Sequence, residues 1–540
     1  MGVFGLISEA AAQAAEKDFV QTITEINGAI NDFAWVRLGL ILLLGAGVLL
    51  TVCTKFFQVV HIKEWWMKTI GGMFSRKSKV RKNKEEGSVS QFQALCTALA
   101  ATIGTGNIAG VASAICIGGP GAVFWMWTAA FFGMMTNYSE NILGLYFRRK
   151  NKEGEWSGGP MYYLRDGLGG YKHCKWVGRI LAGVFCVCAI LASFGIGNMG
   201  QINKIVINMD NAFFQNVDLG YAFGDVKWTS IIIGGVLMIV GGLIILGGLK
   251  RIAAFAEKVV PFMAIAYVIG CLAVFCVHID KIGDMFAAIF RFAFTPAAVV
   301  GGGAGVLIKT MVQGFKRGVF SNEAGLGSSV MVHSASNVRE PVKQGMWGIF
   351  EVFADTFVVC TMTAIVVLSS GKIDLNTGAV NVPEGGDATL VADAFSNVFG
   401  PAGGIFVSIA ILLFAFTTVV GWSHYGTKAF EYLFGVKAAK FYKVFFVLMI
   451  ITGALMTSSL AWDISDTFNG LMMIPNLIGV IACLPVVIKL TKNYVDRRIK
   501  HKDIEPMLSF DPNIQAEHAK DVEEEMREEM EEISEKVNSK

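Results

Sequence analysis

The chain has 540 residues, of which 54% are hydrophobic and only 16% are charged, and its mean hydropathy is +0.53. A soluble protein of this length cannot bury so large an apolar fraction in its core. The composition therefore excludes a soluble globular protein and indicates an integral membrane protein. The net charge of +3 reflects an asymmetry between loops and predicts no nucleic-acid partner.

Eleven apolar segments are each long enough to cross a bilayer, since about 20 apolar residues make one crossing. All cysteines except Cys174 fall in these segments, where cysteine acts as a small hydrophobe, so neither a disulfide nor a zinc site is expected. The sequence thus predicts an all-α membrane protein with eleven transmembrane helices. In chain order the segments are 36–58, 91–117, 120–147, 176–207, 228–249, 252–277, 303–333, 342–369, 402–430, 440–459 and 464–490.

Charged residues in the loops predict the orientation. Lysine and arginine concentrate between residues 63 and 84, after the first segment, and between 148 and 175, after the third. Basic loops of this kind stay in the cytoplasm. The loops at 210–225 and 374–393 are comparatively acidic. We therefore expect a multi-pass protein of the cell (inner) membrane, with the N-terminus outside and the C-terminus in the cytoplasm.

The second apolar segment contains the stretch ALAATIGTGNIAGV (98–111), which a regular helix does not suit. It combines three glycines with Thr102, Thr105 and Asn107, and each glycine disfavours a helix interior by about 1 kcal/mol relative to alanine. Backbone groups freed at membrane depth are tolerated only where they are buried in protein or line a polar cavity. The stretch therefore predicts a broken helix at a binding site.

A second stretch of this type, VQGFKRGVFSNEAGLGSS (312–329), lies in the seventh segment and places four glycines around Lys316, Arg317 and Glu323. Interrupted hydrophobic segments at corresponding positions of two inverted halves indicate the binding site of a transporter. The two stretches are five segments apart, and this odd number predicts an inverted repeat. We expect Arg317 and Glu323 to form an ion pair or gate near the cytoplasmic end. Close packing of glycine-rich helices is the alternative interpretation.

Six ordered motifs make the chain resemble the alanine/glycine:cation symporter (sodium:alanine symporter) family over residues 36–490. The resemblance implies a leucine-transporter-type fold, a five-plus-five inverted repeat preceded by one extra N-terminal helix and containing two broken helices. It also implies sodium-driven uptake of a small neutral amino acid, alanine or glycine. The motifs are FQALCTALAATIGTGNIAGVASAICIGGPGAVFWMWTAAFFGM (92–134), GGPMYYLRDGLG (158–169), GNMGQIN (197–203), GFKRGVFSNEAGLGS (314–328), FADTFVVCTMTA (353–364) and TTVVGWSHYG (417–426).

This fold divides the chain into seven parts. They are an extracytoplasmic segment (1–35), the extra transmembrane helix (36–60), a basic cytoplasmic loop (61–90), the first inverted repeat (91–277), a connecting segment (278–302), the second inverted repeat (303–490) and a charged cytoplasmic tail (491–540).

In this fold the substrate carboxylate meets free N–H groups at the first broken helix, where half-helix dipoles favour anions. The resemblance places this contact at Thr105, Gly106 and Asn107. It also implies a sodium ion held by carbonyl and hydroxyl oxygens, for which threonines that bond only to their own helix backbone are the alternative. The implied sodium ligands are Ala100, Ile103, Phe414, Thr417 and Thr418.

Other segments supply further substrate-site candidates. We expect Trp422 to limit substrate size, and we regard Asp355, with Thr356 and Thr361, as a second cation or network site. Lys204 and its small neighbours depart from the family pattern near the pocket, which leaves substrate size open. The remaining candidates are Asn198, Gln201, Phe315, Gly318 and Ser321.

The sequence contains no nucleophile–base pair and no phosphate-binding loop, so it predicts neither an enzyme nor an organic cofactor. The expected partners are a small neutral amino acid, sodium and membrane lipid. Two alternatives stay open: a carrier for a larger neutral amino acid such as glutamine, and an uncoupled channel or receptor of the same fold.

The end of the tail places apolar residues at helical spacing on a charged surface. We expect a solvated cytoplasmic helix, because a charge run with so narrow an apolar stripe seldom fixes a partner. Weak self-association or docking of a partner is the alternative. The stripe consists of Val522, Met526, Met530, Ile533 and Val537.

Overall fold

The computed structural model describes residues 21–74, 80–81, 85–214, 219–295, 304–382, 389–456 and 460–538, and most of these residues are helical. Parts of the predicted N-terminal segment, basic loop and connecting segment lie outside these ranges. The principal helices are α1 (Gln21–Cys53), α2 (Gln91–Thr102), α3 (Ala109–Gly118), α4 (Ala122–Tyr146), α5 (Lys175–Phe213), α6 (Trp228–Ile245), α7 (Gly248–Val277), α8 (Ile282–Phe294), α9 (Ala304–Asn322), α10 (Val330–His333), α11 (Pro341–Ser369), α12 (Leu390–Phe399), α13 (Pro401–Phe434), α14 (Val436–Leu455), α15 (Leu460–Ala482), α16 (Leu484–Tyr494) and α17 (Pro512–Asn538).

Eight helices in the described ranges are long and apolar enough to cross a membrane, namely α1, α5, α6, α7, α11, α13, α14 and α15. They overlap eight of the eleven predicted segments, and the protein is therefore a multi-pass membrane protein. The other three predicted segments are also helical. Two of them are interrupted, as α2–α3 and α9–α10, and the third, α4, carries Asn137, Glu140 and Asn141 in its C-terminal half.

Two short antiparallel hairpins and several short helical segments connect the helices. Strand β1 (Arg149–Lys150) pairs with β2 (Trp156–Ser157), and β3 (Tyr221–Phe223) pairs with β4 (Val226–Lys227). Three short segments stand alone, namely Phe57–Val60, Thr105–Asn107 and Ile279–Lys281. Two longer ones are continuous, the first made of Ile62–Trp66, Met67–Gly71 and Gly72–Phe74 and the second of Pro160–Tyr162, Tyr163–Gly167 and Leu168–Gly170, while Val495–Ile499 continues α16.

The first interruption separates α2 from α3. Helix α2 starts at a capping box, in which Ser90 and Gln93 each bond the other's backbone N–H at 3.1 Å. The helix ends at Thr102, and the chain passes through extended backbone at Gly104 and one tight turn before α3 begins. The predicted break is confirmed. Its position follows from glycine, which leaves helical geometry without the steric cost of a side chain.

The second interruption lies at the end of the predicted stretch rather than across it. Residues 312–322 form regular helix within α9, and the break begins at Glu323, whose φ of 56° is left-handed. Gly325 and Gly327 are also left-handed, with φ of 93° and 74°. The glycines before Glu323 are helical and serve packing instead, since a β-carbon on Gly314 would lie 2.4 Å from the Ala122 carbonyl.

Two π-helical segments interrupt the helices around these breaks. One, Gly195–Met199, lies inside α5, and the other, Phe353–Cys360, lies inside α11. An extra residue in a helical turn shifts the direction of the side chains beyond it, and such turns are frequent at functional sites. The segment in α11 carries Asp355, whose side chain is completely buried.

Helix α17 docks on the chain instead of standing in solvent. Arg339 Nε lies 2.8 Å from Asp521 Oδ2, and Lys343 Nζ lies 2.6 Å from Glu525 Oε1. Val522, the first residue of the predicted stripe, is completely buried. The expectation of a solvated helix is therefore wrong for this part of α17. The side chains of Met530, Ile533 and Val537 lie outside the described residues.

Two ionisable groups of the docked helix α17, His518 and Glu525, have shifted pKa values. Burial, together with Arg148 and Arg339, lowers the pKa of His518 to about 2. Burial alone would raise the pKa of Glu525, but the cations beside it, Lys343 first, lower it below its usual value. Both shifts favour docking at neutral pH, when the imidazole is neutral and the carboxylate is charged.

Candidate substrate and cation site at the two helix breaks

Helices α5 and α13 converge on the first break. A β-carbon placed on Gly104 would lie 2.5 Å from Thr418 Oγ1 of α13, so only glycine fits there. Gln201 Oε1 of α5 would lie 3.7 Å from the same β-carbon, and it accepts a hydrogen bond from Thr105 Oγ1 at 3.0 Å. The structure therefore brings Thr105, Gln201 and Thr418, three of the predicted site residues, to one point at the break.

The end of α9 covers the same break from the opposite side. A β-carbon on Gly106 would lie 3.0 Å from the Phe320 ring and 3.6 Å from the Cα of Ser321. The predicted residues Gly106 and Ser321 are thus neighbours. Phe320 was missed by the sequence analysis, because one phenylalanine in an apolar segment carries no distinguishing signal.

Asp355 joins the two interrupted helices. Its Oδ1 accepts from Asn107 Nδ2 at 2.6 Å, and its Oδ2 accepts from Ser321 Oγ at 2.7 Å and from Thr356 Oγ1 at 2.9 Å. The expected polar network at Asp355 is confirmed, and it reaches further than expected. Thr361 lies at its edge and donates to the Thr356 carbonyl at 3.2 Å.

Within the part of the chain that the structure describes, Asp355 accepts hydrogen bonds only from neutral donors. A buried carboxylate is costly unless a cation, a proton or strong hydrogen bonds compensate its charge. The side-chain oxygens of Ser321 and Thr356 beside it are hard donors of the type that alkali and alkaline-earth cations prefer. This cluster therefore has the chemistry of a cation site.

The five residues expected to hold sodium all lie at the junction of α2 and α13, where each is at most 2% exposed. The two hydroxyls both donate to the Phe414 carbonyl, Thr417 at 2.9 Å and Thr418 at 3.0 Å. Thr417 also points to Met263 Sδ of α7 at 3.6 Å, whereas Thr418 faces Gly104. A hydroxyl that donates keeps lone pairs to offer a cation. The bonds to Phe414 are nevertheless those of the alternative interpretation, in which each threonine bonds its own helix backbone, so the sodium role of this set stays a prediction.

Trp422 connects α5 to the second break. Its Nε1 donates to Glu323 Oε1 at 2.9 Å, and its ring packs on Gly197, where a β-carbon would lie 2.5 Å from the Trp422 Cβ. Ser328 Oγ donates to the other oxygen of Glu323 at 2.5 Å. The indole thus holds the carboxylate that starts the break.

Three predicted site residues point elsewhere. Asn198 Nδ2 donates to the Phe446 carbonyl of α14 at 2.8 Å. Phe315 stacks toward Trp125, with ring centroids 6.1 Å apart. A β-carbon on Gly318 would lie 3.3 Å from the Met126 Cα. The packing partners of Phe315 and Gly318 are on α4, so these two residues join α9 to α4.

The expected ion pair between Arg317 and Glu323 is wrong. Arg317 Nη2 approaches Ser113 Oγ of α3 at 3.4 Å, whereas Glu323 bonds Ser328 and Trp422. Arg317 lies six residues, nearly two helical turns, before Glu323, and its side chain lies on the face of α9 toward α3.

Two interrupted helices that meet around buried oxygen donors, inside a multi-pass membrane protein, define the class as a membrane transporter. The profile of the sodium:alanine symporter family matches residues 20–508. The chain belongs to the sodium:alanine symporter family, and it is a transporter and not an enzyme.

Named relatives share this similarity along their length. The sodium/alanine symporter AgcS of Methanococcus maripaludis is 41% identical over 482 residues, which cover 89% of this chain and 98% of AgcS. An uncharacterized transporter of Haemophilus influenzae is 42% identical with the same coverage of each chain, 89% and 98%. The probable sodium/glutamine symporter GlnT of Bacillus subtilis is 35% identical, over 89% of this chain and 93% of GlnT.

Among solved structures, the crystal structure of MhsT in complex with L-phenylalanine aligns with a TM-score of 0.48 and 14% identity. The alignment covers 76% of this chain and 99% of that chain.

Proposed function

We propose that the protein imports a small neutral amino acid, alanine or glycine, together with sodium. The observation that carries this proposal is the crowding of side-chain oxygens beside Gly104, where Thr418 Oγ1 and the Gln201 oxygen that accepts from Thr105 both lie within 4 Å of the β-carbon position. The free ends of two half-helices suit a substrate that carries its own carboxylate. The 41% identity to a sodium/alanine symporter supports this substrate class.

The substrate would bind at the first break. The backbone N–H groups of Thr105, Gly106 and Asn107 hold the carboxylate, Gln201 orients the substrate, and the Phe320 ring over Gly106 limits side-chain size. Trp422 acts through Glu323 and shapes the pocket from the second break.

Sodium would bind through the oxygens of Ala100, Ile103, Phe414, Thr417 and Thr418. The Asp355 cluster is our second cation position, because its carboxylate joins Asn107 of the first break to Ser321 beside the second. A ligand shifts a conformational equilibrium only by its differential affinity for the two states. Sodium that binds at both interrupted helices favours the arrangement in which they are held together.

The two halves of the predicted inverted repeat, 91–277 and 303–490, carry out alternating access. The N-terminus is outside and the C-terminus is in the cytoplasm. A larger substrate such as glutamine is the second candidate, and the 35% identity to a probable sodium/glutamine symporter favours keeping it. An uncoupled channel or receptor is the third.

One experiment separates these candidates. The purified protein in liposomes is given labelled alanine with and without an inward sodium gradient, and glycine, serine and glutamine are added as competitors. We expect accumulation above equilibrium only with the gradient, with competition in the order glycine, serine, glutamine. If alanine only equilibrates and sodium has no effect, the uncoupled channel or receptor is supported instead. If glutamine is the strongest competitor, the carrier for a larger substrate such as glutamine is supported.

A further inference from the structure

Helix α17 lies where the ends of the two interrupted helices meet. Val89, which directly precedes the cap of α2, donates its N–H to the Ala335 carbonyl at 3.0 Å and accepts from the Asn337 N–H at 2.9 Å. Ala335 and Asn337 belong to the loop that leads from α10 to α11. The start of the first interrupted helix and the end of the second are therefore joined at one end of the molecule. We call these three residues the junction.

One guanidinium connects the loop of the junction to α17. Arg339 places its Nη1 2.9 Å from Glu85 Oε2 and its Nε 2.8 Å from Asp521 Oδ2. Glu85 lies in the segment that leads into α2, and it also accepts from Trp156 Nε1 at 3.0 Å. The Trp156 ring packs against the His518 ring of α17, with centroids 5.8 Å apart. The tail is thus bonded to the segments beside both interrupted helices.

A second set of ion pairs attaches α17 to the start of α11. Lys343 Nζ lies 2.6 Å from Glu525 Oε1 and 3.0 Å from Glu340 Oε2. Arg498, which follows α16, pairs with the same two carboxylates, with Glu340 at 2.7 Å and with Glu525 at 3.5 Å. The side chains of Lys343, Glu340 and Arg498 are at most 10% exposed, so these charges are screened less than charges at an open surface.

Helix α17 lies outside the part of the chain that the family profile describes. The profile ends at residue 508, and α17 begins at Pro512. The transport machinery common to the family therefore ends before this helix. A contribution of α17 to the basic transport cycle is not expected, whereas its contacts place it where it can regulate that cycle.

We propose that α17 is an autoinhibitory latch, which holds the start of α2 and the end of α10 together and slows transport while it is docked. This role rests on the proposed function. Helix α2 belongs to the first predicted repeat and α10 to the second, and alternating access moves one repeat against the other. A contact that forms in only one arrangement stabilises that arrangement. Release of α17 therefore makes the junction easier to open.

The test reverses the two tail charges that form these ion pairs. In the reversal variant, Asp521→Lys with Glu525→Lys, each new ammonium group faces a cation of the loop or of α11, and α17 should undock. The control variant is Glu523→Lys with Glu524→Lys. It changes the net charge by the same amount on the same helix, at two exposed positions.

Docking and the state of the junction are measured first, without transport. Hydrogen exchange is compared at one pH in the sodium-free protein in lipid nanodiscs. We expect the reversal variant to lose amide protection in residues 512–527 and also at Val89 and Asn337, whose N–H groups form the junction. The control variant should keep the wild-type protection. Full protection at Val89 and Asn337 after α17 has undocked overturns the latch, and so does an α17 that stays protected in the reversal variant.

Transport is measured next, as the initial rate of sodium-driven alanine uptake in liposomes. The rate in the reversal variant should exceed the wild-type rate by at least about threefold, within the range that two ion pairs supply. The control variant should keep the wild-type rate. A purely structural role of α17 would lower uptake when the helix is released, so a rate in the reversal variant at or below that of wild type overturns the latch.

The two proposals fail in different ways. Absence of sodium-driven uptake in the wild-type protein overturns the proposed function, and the exchange measurement still decides whether α17 holds the junction. If the reversal variant does not fold, Asp521→Asn with Glu525→Gln replaces it, and Glu523→Gln with Glu524→Gln becomes the control. These neutral side chains keep the shape of the helix and remove the ion pairs, so the same increase in rate is expected.

Discussion

Both helix breaks interrupt a helix at glycine-rich backbone, but the side chains around the two breaks differ in charge. The first break, around Gly104, is surrounded by neutral oxygens and amides and is closed by one α13 hydroxyl. The second begins at Glu323, a left-handed residue whose carboxylate is bonded by Ser328 and Trp422. Neutral donors suit a site that binds and releases ligands. A carboxylate that is fixed by hydrogen bonds, such as that of Glu323, suits a hinge whose two conformations give the carboxylate different partners.

Buried acid is concentrated at the second break. Asn476 bridges Glu140 Oε1, at 2.5 Å, to the Gly325 carbonyl, at 2.8 Å, so a second carboxylate reaches this break from α4. Asn107 of the first break reaches this acidic side through the Asp355 carboxylate at 2.6 Å and through the Cys360 thiol at 3.4 Å. The proposed ligand site therefore lies at the first break, and Asp355 is the carboxylate that links it to Ser321 beside the second break.

The largest expected effect follows from filling the first break. In Gly104→Leu and Gly106→Leu the new side chain would collide with Thr418 or with the Phe320 ring. We expect alanine uptake to fall by more than about a hundredfold, since a displacement of about 1 Å at a site has this effect, while membrane insertion is retained. Gly235→Leu is the control, because nothing lies within 4 Å of a β-carbon there. Uptake that survives Gly106→Leu would show that the first break is not the binding site.

The second-largest effect is expected from removing the charge of Asp355, which joins the two breaks. Asp355→Asn keeps the shape but loses the carboxylate that accepts from Asn107 and Ser321. We expect the half-saturating sodium concentration to rise by about 10- to 100-fold, the range for loss of a supporting metal contact. Ser321→Ala removes one donor only and should have a smaller effect. A sodium dependence unchanged in Asp355→Asn contradicts the coupling role.

Neighbouring threonines provide an internal comparison at the sodium site. Thr418 faces Gly104, whereas Thr417 points to Met263. Thr418→Ala should therefore raise the half-saturating sodium concentration by roughly tenfold, or about 1.4 kcal/mol. Thr417→Ala should raise it less. Equal effects of the two substitutions would mean that both hydroxyls are ligands in the sodium-bound state.

A smaller effect is expected on the selectivity for substrate size at the first break. Phe320→Ala removes the ring over Gly106. Glutamine should then compete with labelled alanine roughly tenfold better, within the range that pocket-size changes produce. If competition by glutamine stays as weak as in wild type, another residue limits substrate size.

The smallest expected effect concerns α17. Because the pKa of His518 is depressed in the docked tail, docking is fully supported above the ordinary histidine pKa, about 6.5, and weakens as the pH falls below it. The lowered pKa of Glu525 acts in the same direction at lower pH. Amide protection in residues 512–527, corrected for the intrinsic pH dependence of hydrogen exchange, should fall on acidification to about pH 5.5, within the histidine range. His518→Gln should remove most of this change near about pH 6, and an equal loss of protection in both proteins would contradict it.

Much of this arrangement could be predicted from the chain. Glycine beside Thr105 and Asn107 in an apolar segment signals a break from local chemistry alone, and the break lies where predicted. The second break occupies only the end of its predicted stretch, because Gly314 and Gly318 look alike in sequence whether they break a helix or pack on α4. Only the positive φ at Glu323, Gly325 and Gly327 separates the two cases.

Contacts between distant segments were the least predictable. Phe320 over Gly106 depends on the relative rotation of two helices, which no local pattern encodes. The tail was misjudged for a related reason. Its run of charged residues indicates a solvated surface. Arg339 and Lys343, which are far away in the sequence, nevertheless form ion pairs with Asp521 and Glu525 of this helix and favour docking.

The central claim is that amino acid and sodium bind together at the first break. It is tested most directly by equilibrium binding of labelled alanine to the purified protein at several sodium concentrations, with the reciprocal titration of sodium at several alanine concentrations. Coupled binding is reciprocal, so each ligand should tighten the other by the same factor, about 5- to 150-fold for typical coupling. Thr418→Ala should reduce that factor. Alanine affinity that is independent of sodium would contradict the account.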